Sequence, residues 1–188
     1  MRAFCVLFVV GIAASAASLA QGTREWRFEA GAQFTAIRVQ ALGEKPPGVG
    51  GRTSYEFTRG GFVFAPEVEW NYFPQDPSGN FGESQFLTGV RAGVKADLLG
   101  IYLKARPGFV RFGGADFKLR NHGSSTNFAC DLGAVLEYPT SGRVAVRFDV
   151  GDTLIQFSRP VFTGASALPT SPGLSHNFQS AIGVVFRF

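Results

Sequence analysis

Residues 176–188 read "HNFQSAIGVVFRF". Phe178, Ser180, Ile182, Val184, Phe186 and Phe188 share one parity; Asn177, Gln179, Ala181, Gly183, Val185 and Arg187 share the other. Side chains alternate between the two faces of a strand, so the stretch predicts a β-strand with one largely apolar face. Chain ends are usually polar and frayed. A strand that finishes on a bare phenylalanine predicts that its apolar face meets an apolar medium down to the last residue.

The same period-2 pattern recurs through most of the chain. Seven further strands are read: Arg24–Arg38, Gly48–Phe57, Gly61–Phe73, Gln85–Asp97, Ile101–Phe112, Thr126–Tyr138 and Arg143–Phe157. Their apolar parity includes Phe28 and Phe34, Phe62 and Trp70, Ile101 and Leu103, Phe128 and Leu132, and Val146 and Phe148. Pro107 has no N–H to give a ladder, so a bulge is expected there. The pattern of the seventh strand is expected to lose phase near Gly151.

The connections alternate in length. "TRGG" (58–61), "DLLG" (97–100) and "PTSG" (139–142) read as tight turns. Between them lie "ALGEKPP" (41–47), "PQDPSGNFGE" (74–83), "GGADFKLRNHGSS" (113–125) and a long segment from Ser158 to His176. Short turns on one side and long loops on the other describe a membrane β-barrel with periplasmic turns and external loops.

Residues 1–20, "MRAFCVLFVVGIAASAASLA", combine Arg2, an apolar run too short to span a membrane and a small-residue end. They are expected to be a secretory signal peptide, with 21–188 forming one barrel domain. That removal leaves Cys130 alone, which excludes a disulfide within the barrel and a zinc site built on several thiolates. The net charge of +4 is too small and too dispersed to suggest nucleic acid as a partner.

The charged residues decide which face points out. Arg27, Arg52, Arg91, Lys95, Lys104, Arg106, Arg147 and Arg187 lie opposite the apolar set. So do Glu29, Glu56, Glu67, Glu69, Asp97, Asp131, Glu137 and Asp149. Balanced charges along whole strands suit a barrel lumen, while the lipid face stays apolar. The alternative is a soluble lipocalin-like barrel with the charges outside. Two aromatic girdles are expected: Trp26, Phe57, Tyr102, Tyr138 and Phe186 at the periplasmic rim, and Tyr72, Phe73, Phe86, Phe112 and Phe128 at the outer one. The fold class is thus all-β, a transmembrane eight-stranded antiparallel up-and-down barrel.

The stretches "PEVEWNYFP" (66–74), "GVRAGVKADLLGIYLKARPGF" (89–109), "VRFDVGD" (146–152) and "GVVFRF" (183–188) carry a resemblance. The chain resembles the OmpA/OmpX-like small eight-stranded outer-membrane barrels over Arg24–Phe188. The resemblance implies the bacterial outer membrane as location. It also implies that Phe186 and Phe188 form the signal read by the outer-membrane assembly machinery. The peptidoglycan-binding domain that follows some of these barrels is expected to be absent.

The leading candidate site is the lumen: an ion-pair network of Arg52, Glu67, Glu69, Arg91, Lys95, Lys104, Arg106, Asp131, Arg147 and Asp149. An eight-stranded interior is just wide enough for side chains to fill it. Glu67 and Glu69 are expected to find cations on adjacent strands, Arg91 and Lys95 on one side and Arg52 on the other. A sharper motif is His122 and Ser124 with Glu137, similar in order and spacing to outer-membrane lipid A deacylases. The flanking residues differ, and the strand places Glu137 near the opposite rim, so no catalytic residue is assigned. His176 reads as a loop residue, Cys130 as a small apolar residue facing lipid, and "GVGG" and "FGGAD" lack phosphate-loop context. No metal and no cofactor are expected.

The function expected is structural or interactive, through the external loops and around a largely closed lumen. Outer-membrane lipid and lipopolysaccharide are the expected partners of a monomeric barrel, the latter through the basic loop "ADFKLRNHGSST". A narrow channel for small solutes and a lipid-modifying enzyme are the alternatives.

Overall fold

The structure is a computed structural model. It describes residues 24–39, 43–44, 47–74, 82–96, 98–113, 125–157, 161–162, 169–170 and 173–188; residues 24–26, 43–44, 161–162 and 169–170 are described as backbone alone. Eight long strands carry the fold: β1 (Arg24–Val39), β2 (Gly48–Arg59), β3 (Phe62–Phe73), β4 (Gly82–Lys95), β5 (Gly100–Gly113), β6 (Ser125–Pro139), β7 (Val144–Phe157) and β8 (Asn177–Arg187). Each pairs antiparallel with the next, and β8 pairs with β1. The sheet is therefore closed, and no long strand is left with an open edge. Among the described residues there is no helix.

The hairpin between β2 and β3 shows how the sequence sets the short turns. Gly60 and Gly61 have φ of 59° and 81°. Two consecutive positive φ values match the twist of the flanking strands, and glycine reaches them without a Cβ clash. The β6–β7 turn uses side chains instead. Ser141 Oγ accepts the N–H groups of Arg143 and Val144 at 3.3 and 3.1 Å.

On the other side the connections carry short strands of their own. Gly43–Glu44 pairs with the end of β1, Gly173–Ser175 pairs with the end of β7, and Val161–Phe162 pairs with Pro169–Thr170. The segment read as a plain loop over 158–176 thus contains ladder structure.

Pro107 makes no bulge. Leu87 faces Gly108 and Val90 faces Ala105, so two residues oppose two and none is inserted. On its other side Pro107 stays in register with Cys130. Nor does β7 lose phase at Gly151. Thr153, Ile155 and Phe157 continue inward while Gln156 is exposed. The residue chemistry changes there; the pleat does not.

The outward parity is apolar and exposed, with Phe34, Trp70, Phe86, Leu103, Phe109 and Phe128 among its large side chains. Three of the expected girdle aromatics are corrected. Tyr102, Phe73 and Phe112 have the inward parity and are fully buried in the lumen. Tyr138, Phe186, Tyr72, Phe86 and Phe128 do face outward, Phe57 is half-buried, and the Trp26 side chain lies outside the described ones. Cys130 has the outward parity yet is buried, in register between Pro107 and Leu154.

Candidate functional site

Inward residues fill the barrel in tiers, because the strands run alternately up and down and bring like positions to like heights. Glycines make the room. Gly31, Gly89, Gly108, Gly133, Gly151 and Gly183 all have the inward parity, and a Cβ at any of them would meet neighbouring backbone within 2.6 Å. Gly31 and Gly183 are in register with Arg52 and Arg147, and Gly133 with Lys104. Long side chains therefore lie over glycines, as a narrow interior demands.

The ion tier nearest the periplasmic turns is centred on Arg91. Its guanidinium contacts Glu29, reaches Glu137 at 2.8 Å and Glu56 at 3.3 Å, and lies 4.6 Å over the Tyr102 ring. Arg187 bridges Glu29 at 2.8 Å and Glu137 at 2.7 Å, and Lys95 reaches Glu56 at 3.0 Å. Carboxylate oxygens of Glu29, Glu56 and Glu137 lie within 4.8 Å of one another. Arg91 supplies a cation at the centre of this cluster, so the trio forms an ion-pair hub.

The next tier is centred on Arg106, which contacts Glu69 and Asp131 and reaches Glu67 at 3.2 Å. Arg52 pairs with Asp149 at 2.8 Å and Glu69 at 3.4 Å; Lys104 pairs with Asp131 at 2.9 Å and Asp149 at 3.2 Å. Arg147 joins Glu67 at 3.0 Å to Asp149 at 2.9 Å. Arg91–Glu67 at 3.6 Å and Arg147–Glu137 at 3.7 Å link the two tiers. Together the tiers hold seven carboxylates and seven cations, all but Lys95 buried. Isolated charges would be prohibitive in such a space; a closed set of partners makes them tolerable.

All ten residues assigned to the lumen from sequence lie on the inward face. Partner choice differs from the adjacent-strand expectation. Glu69 does meet Arg52, and Glu67 meets Arg91 at longer range. The closer cations of both, however, cross the lumen from β5 and β7, and Lys95 pairs with Glu56 instead. Asp97, His122 and Ser124 lie outside the described residues. Glu137 is occupied by Arg91 and Arg187. His176 Nδ1 lies 2.6 Å from Asp152 Oδ2 in an exposed pair.

Above the ions, on the loop side, sits a tier made mostly of neutral groups, with one buried carboxylate, Glu83, accepting from Gln85 at 3.1 Å. Gln33 donates to Asn71 at 2.7 Å, Asn71 to Gln85 at 3.2 Å, Gln85 to Gln179 at 3.2 Å, and Thr153 to Gln179 at 2.8 Å. Beside and above it, Leu87, Val110, Phe112, Ala129, Ile155 and Phe157 form one apolar cluster, and Ile37, Val39 and Phe73 a second. Charge alone does not mark this tier, so a reading that followed charge passed over it. Parity was the available signal, since these residues continue the inward set of each strand.

An edgeless antiparallel cylinder, apolar outside and charge-paired inside, defines a transmembrane β-barrel. The chain belongs to the outer membrane protein beta-barrel domain family, whose model matches residues 4–188. It is a protein of the bacterial outer membrane. Among solved structures it is similar in fold to Neisserial surface protein A, at 16% identity and a TM-score of 0.53 over 88% of this chain and 99% of that one. Ail, the attachment invasion locus protein of Yersinia pestis, in complex with a heparin analogue, gives 10% identity and 0.53 over 88% and 99%. The N-terminal barrel domain of Pseudomonas aeruginosa OprF gives 14% and 0.51 over 85% and 97%. No curated protein matches the chain in sequence.

Proposed function

We propose that this barrel is a closed, non-catalytic outer-membrane scaffold that presents its external loops for surface contact. The observation that carries the reading is the filling of the lumen by two kinds of closure in series, the paired ions and the amide and apolar tier beyond them. Water and ions crossing the barrel would have to break both. The basic residues Lys118 and Arg120 of the β5–β6 connection offer contacts to lipopolysaccharide phosphates. Phe186 and Phe188 serve as the assembly signal, and the barrel acts as a monomer. Ail, named for attachment, has the same fold.

The test is conductance in a planar bilayer. The native barrel gives no steady current. Arg106→Ala or Phe112→Ala alone leaves the second closure in place and conducts little, while the double variant conducts steadily. Large steady currents through the native protein would replace this reading with the channel. A change in the lipid A mass spectrum on expression would replace it with the lipid-modifying enzyme.

A further inference from the structure

We infer that the β4–β5 turn is a membrane contact. Its leucines lie at the headgroup–acyl boundary of the periplasmic leaflet and take phospholipid chains as their partner, while the other two short turns stay in water.

The apolar wall of the barrel runs on into this turn. Val94 and Ile101, in register near the ends of β4 and β5, are both exposed on the lipid face. One step further out, Ala96 donates its N–H to the Leu99 carbonyl at 2.9 Å, which closes the hairpin. Ala96 and Leu99 keep the parity of Val94 and Ile101, and both are exposed. Leu98 stands at the tip, 73% exposed. The hairpin is also held from the side, since Lys95 donates its N–H to the Gly61 carbonyl of the β2–β3 turn at 2.8 Å. A single exposed leucine is ordinary on a protein surface. Here it ends an apolar strip that is continuous with the wall already facing lipid.

The neighbouring hairpins end differently. Arg59 has the lipid-face parity at the end of β2, in register with Phe62, and the tip beyond it is Gly60 and Gly61. The β6–β7 turn exposes Thr140, Ser141, Gly142 and Arg143. Arginine near a membrane surface keeps its charge at headgroup or water level, so these two turns mark the edge of the bilayer. Ala96, Leu98 and Leu99 carry no charge. Asp97 lies between Ala96 and Leu98 in the sequence, and a carboxylate does not enter hydrocarbon readily. The boundary of the leaflet, and not its acyl interior, is therefore the level assigned.

The experiment folds the full chain into phosphatidylcholine nanodiscs and reads its methyl and amide resonances beside two relaxation agents. One is a lipid carrying a nitroxide near its glycerol; the other is a water-soluble gadolinium chelate. The Leu98 and Leu99 methyls are expected to broaden with the nitroxide lipid, as those of Val94 and Ile101 do, and to stay sharp with the chelate. The Gly142 amide, at the tip of the β6–β7 turn, is expected to do the opposite. Leu98→Asp, its folding verified by heat-modifiable gel migration, should cost Leu99 its nitroxide broadening, and Leu98→Met should keep it. Chelate broadening of the native Leu98 methyls equal to that of the Gly142 amide would overturn the contact. Unchanged Leu99 broadening in Leu98→Asp would overturn it too, because the strands alone would then set the depth.

Discussion

The lumen near the periplasmic turns and the lumen near the loops solve one packing problem in opposite ways. Below, arginines and carboxylates fill the space, and each buried arginine holds at least two carboxylates. Arg106 alone meets Glu67, Glu69 and Asp131. Above, beside the hydrogen-bonded amides, the apolar cluster of Leu87, Ile155, Phe112 and Phe157 fills its share by volume, with no polar partner to lose. Removing one member of the first region leaves its buried partners with fewer counter-charges. Trimming one member of the apolar cluster leaves only a smaller side chain. The same barrel therefore holds a brittle region and a tolerant one.

The sharpest way to break this comparison is Arg106→Ala. It leaves buried carboxylates uncompensated and should destabilise the barrel by about 3–5 kcal/mol. Urea unfolding of the refolded protein measures this. A loss no larger than that of an apolar trim would show that water enters and erases the difference.

Next in size is the coupling within the ion region. In double-mutant cycles with Arg91→Ala, Glu29→Gln should couple near the upper end of the roughly 0.5–3 kcal/mol found for contacting pairs. Glu67→Gln should couple near the lower end, because its contact is the longer one at 3.6 Å. The reverse order would mean that pairing follows strand adjacency after all.

In the upper region, Ile155→Val should cost only about 0.5–1.5 kcal/mol, as a deleted methylene in a packed apolar cluster does. The smallest effect belongs to a neutral group inside the charged region. The Tyr102 hydroxyl is buried with no hydrogen-bond partner among the described residues. Tyr102→Phe should leave stability within about 0.5 kcal/mol or raise it slightly, because no bond is broken. A loss like that of Arg106→Ala would make the lower region brittle at every side chain, charged or not.

Much of this architecture was legible in the sequence because a strand has a period of two and a turn has a chemistry. "TRGG" announces a primed hairpin, and the run from Gly89 to Phe109 announces two amphipathic strands. The errors arose where residue type was read in place of parity. Tyr102, Phe73 and Phe112 stand near strand ends and are aromatic, yet they share parity with Lys104, Glu69 and Arg106. The partners of the ions were not legible for a different reason. Arg52 meets Asp149 across 97 positions of sequence, and only the closure of the barrel decides which strands face each other through its interior.

The seam between β1 and β8 has a kinetic side. Glu29 and Arg187 stand opposite each other there, 158 positions apart, and their side chains bond at 2.8 Å. Contacts that remote form against the full entropy of a long loop, which slows folding and delays their reward. The hub around Arg91 includes Glu29 from the first strand and Glu137 from the sixth, and Arg187 of the eighth joins them. Its full set of partners comes together only when the ring shuts. A partly wound sheet would hold carboxylates and guanidiniums without their cross-lumen partners, a state disfavoured in lipid but acceptable in water. The interior ion pairs thus couple closure to insertion: the polypeptide gains by completing its circle before its inner wall leaves water.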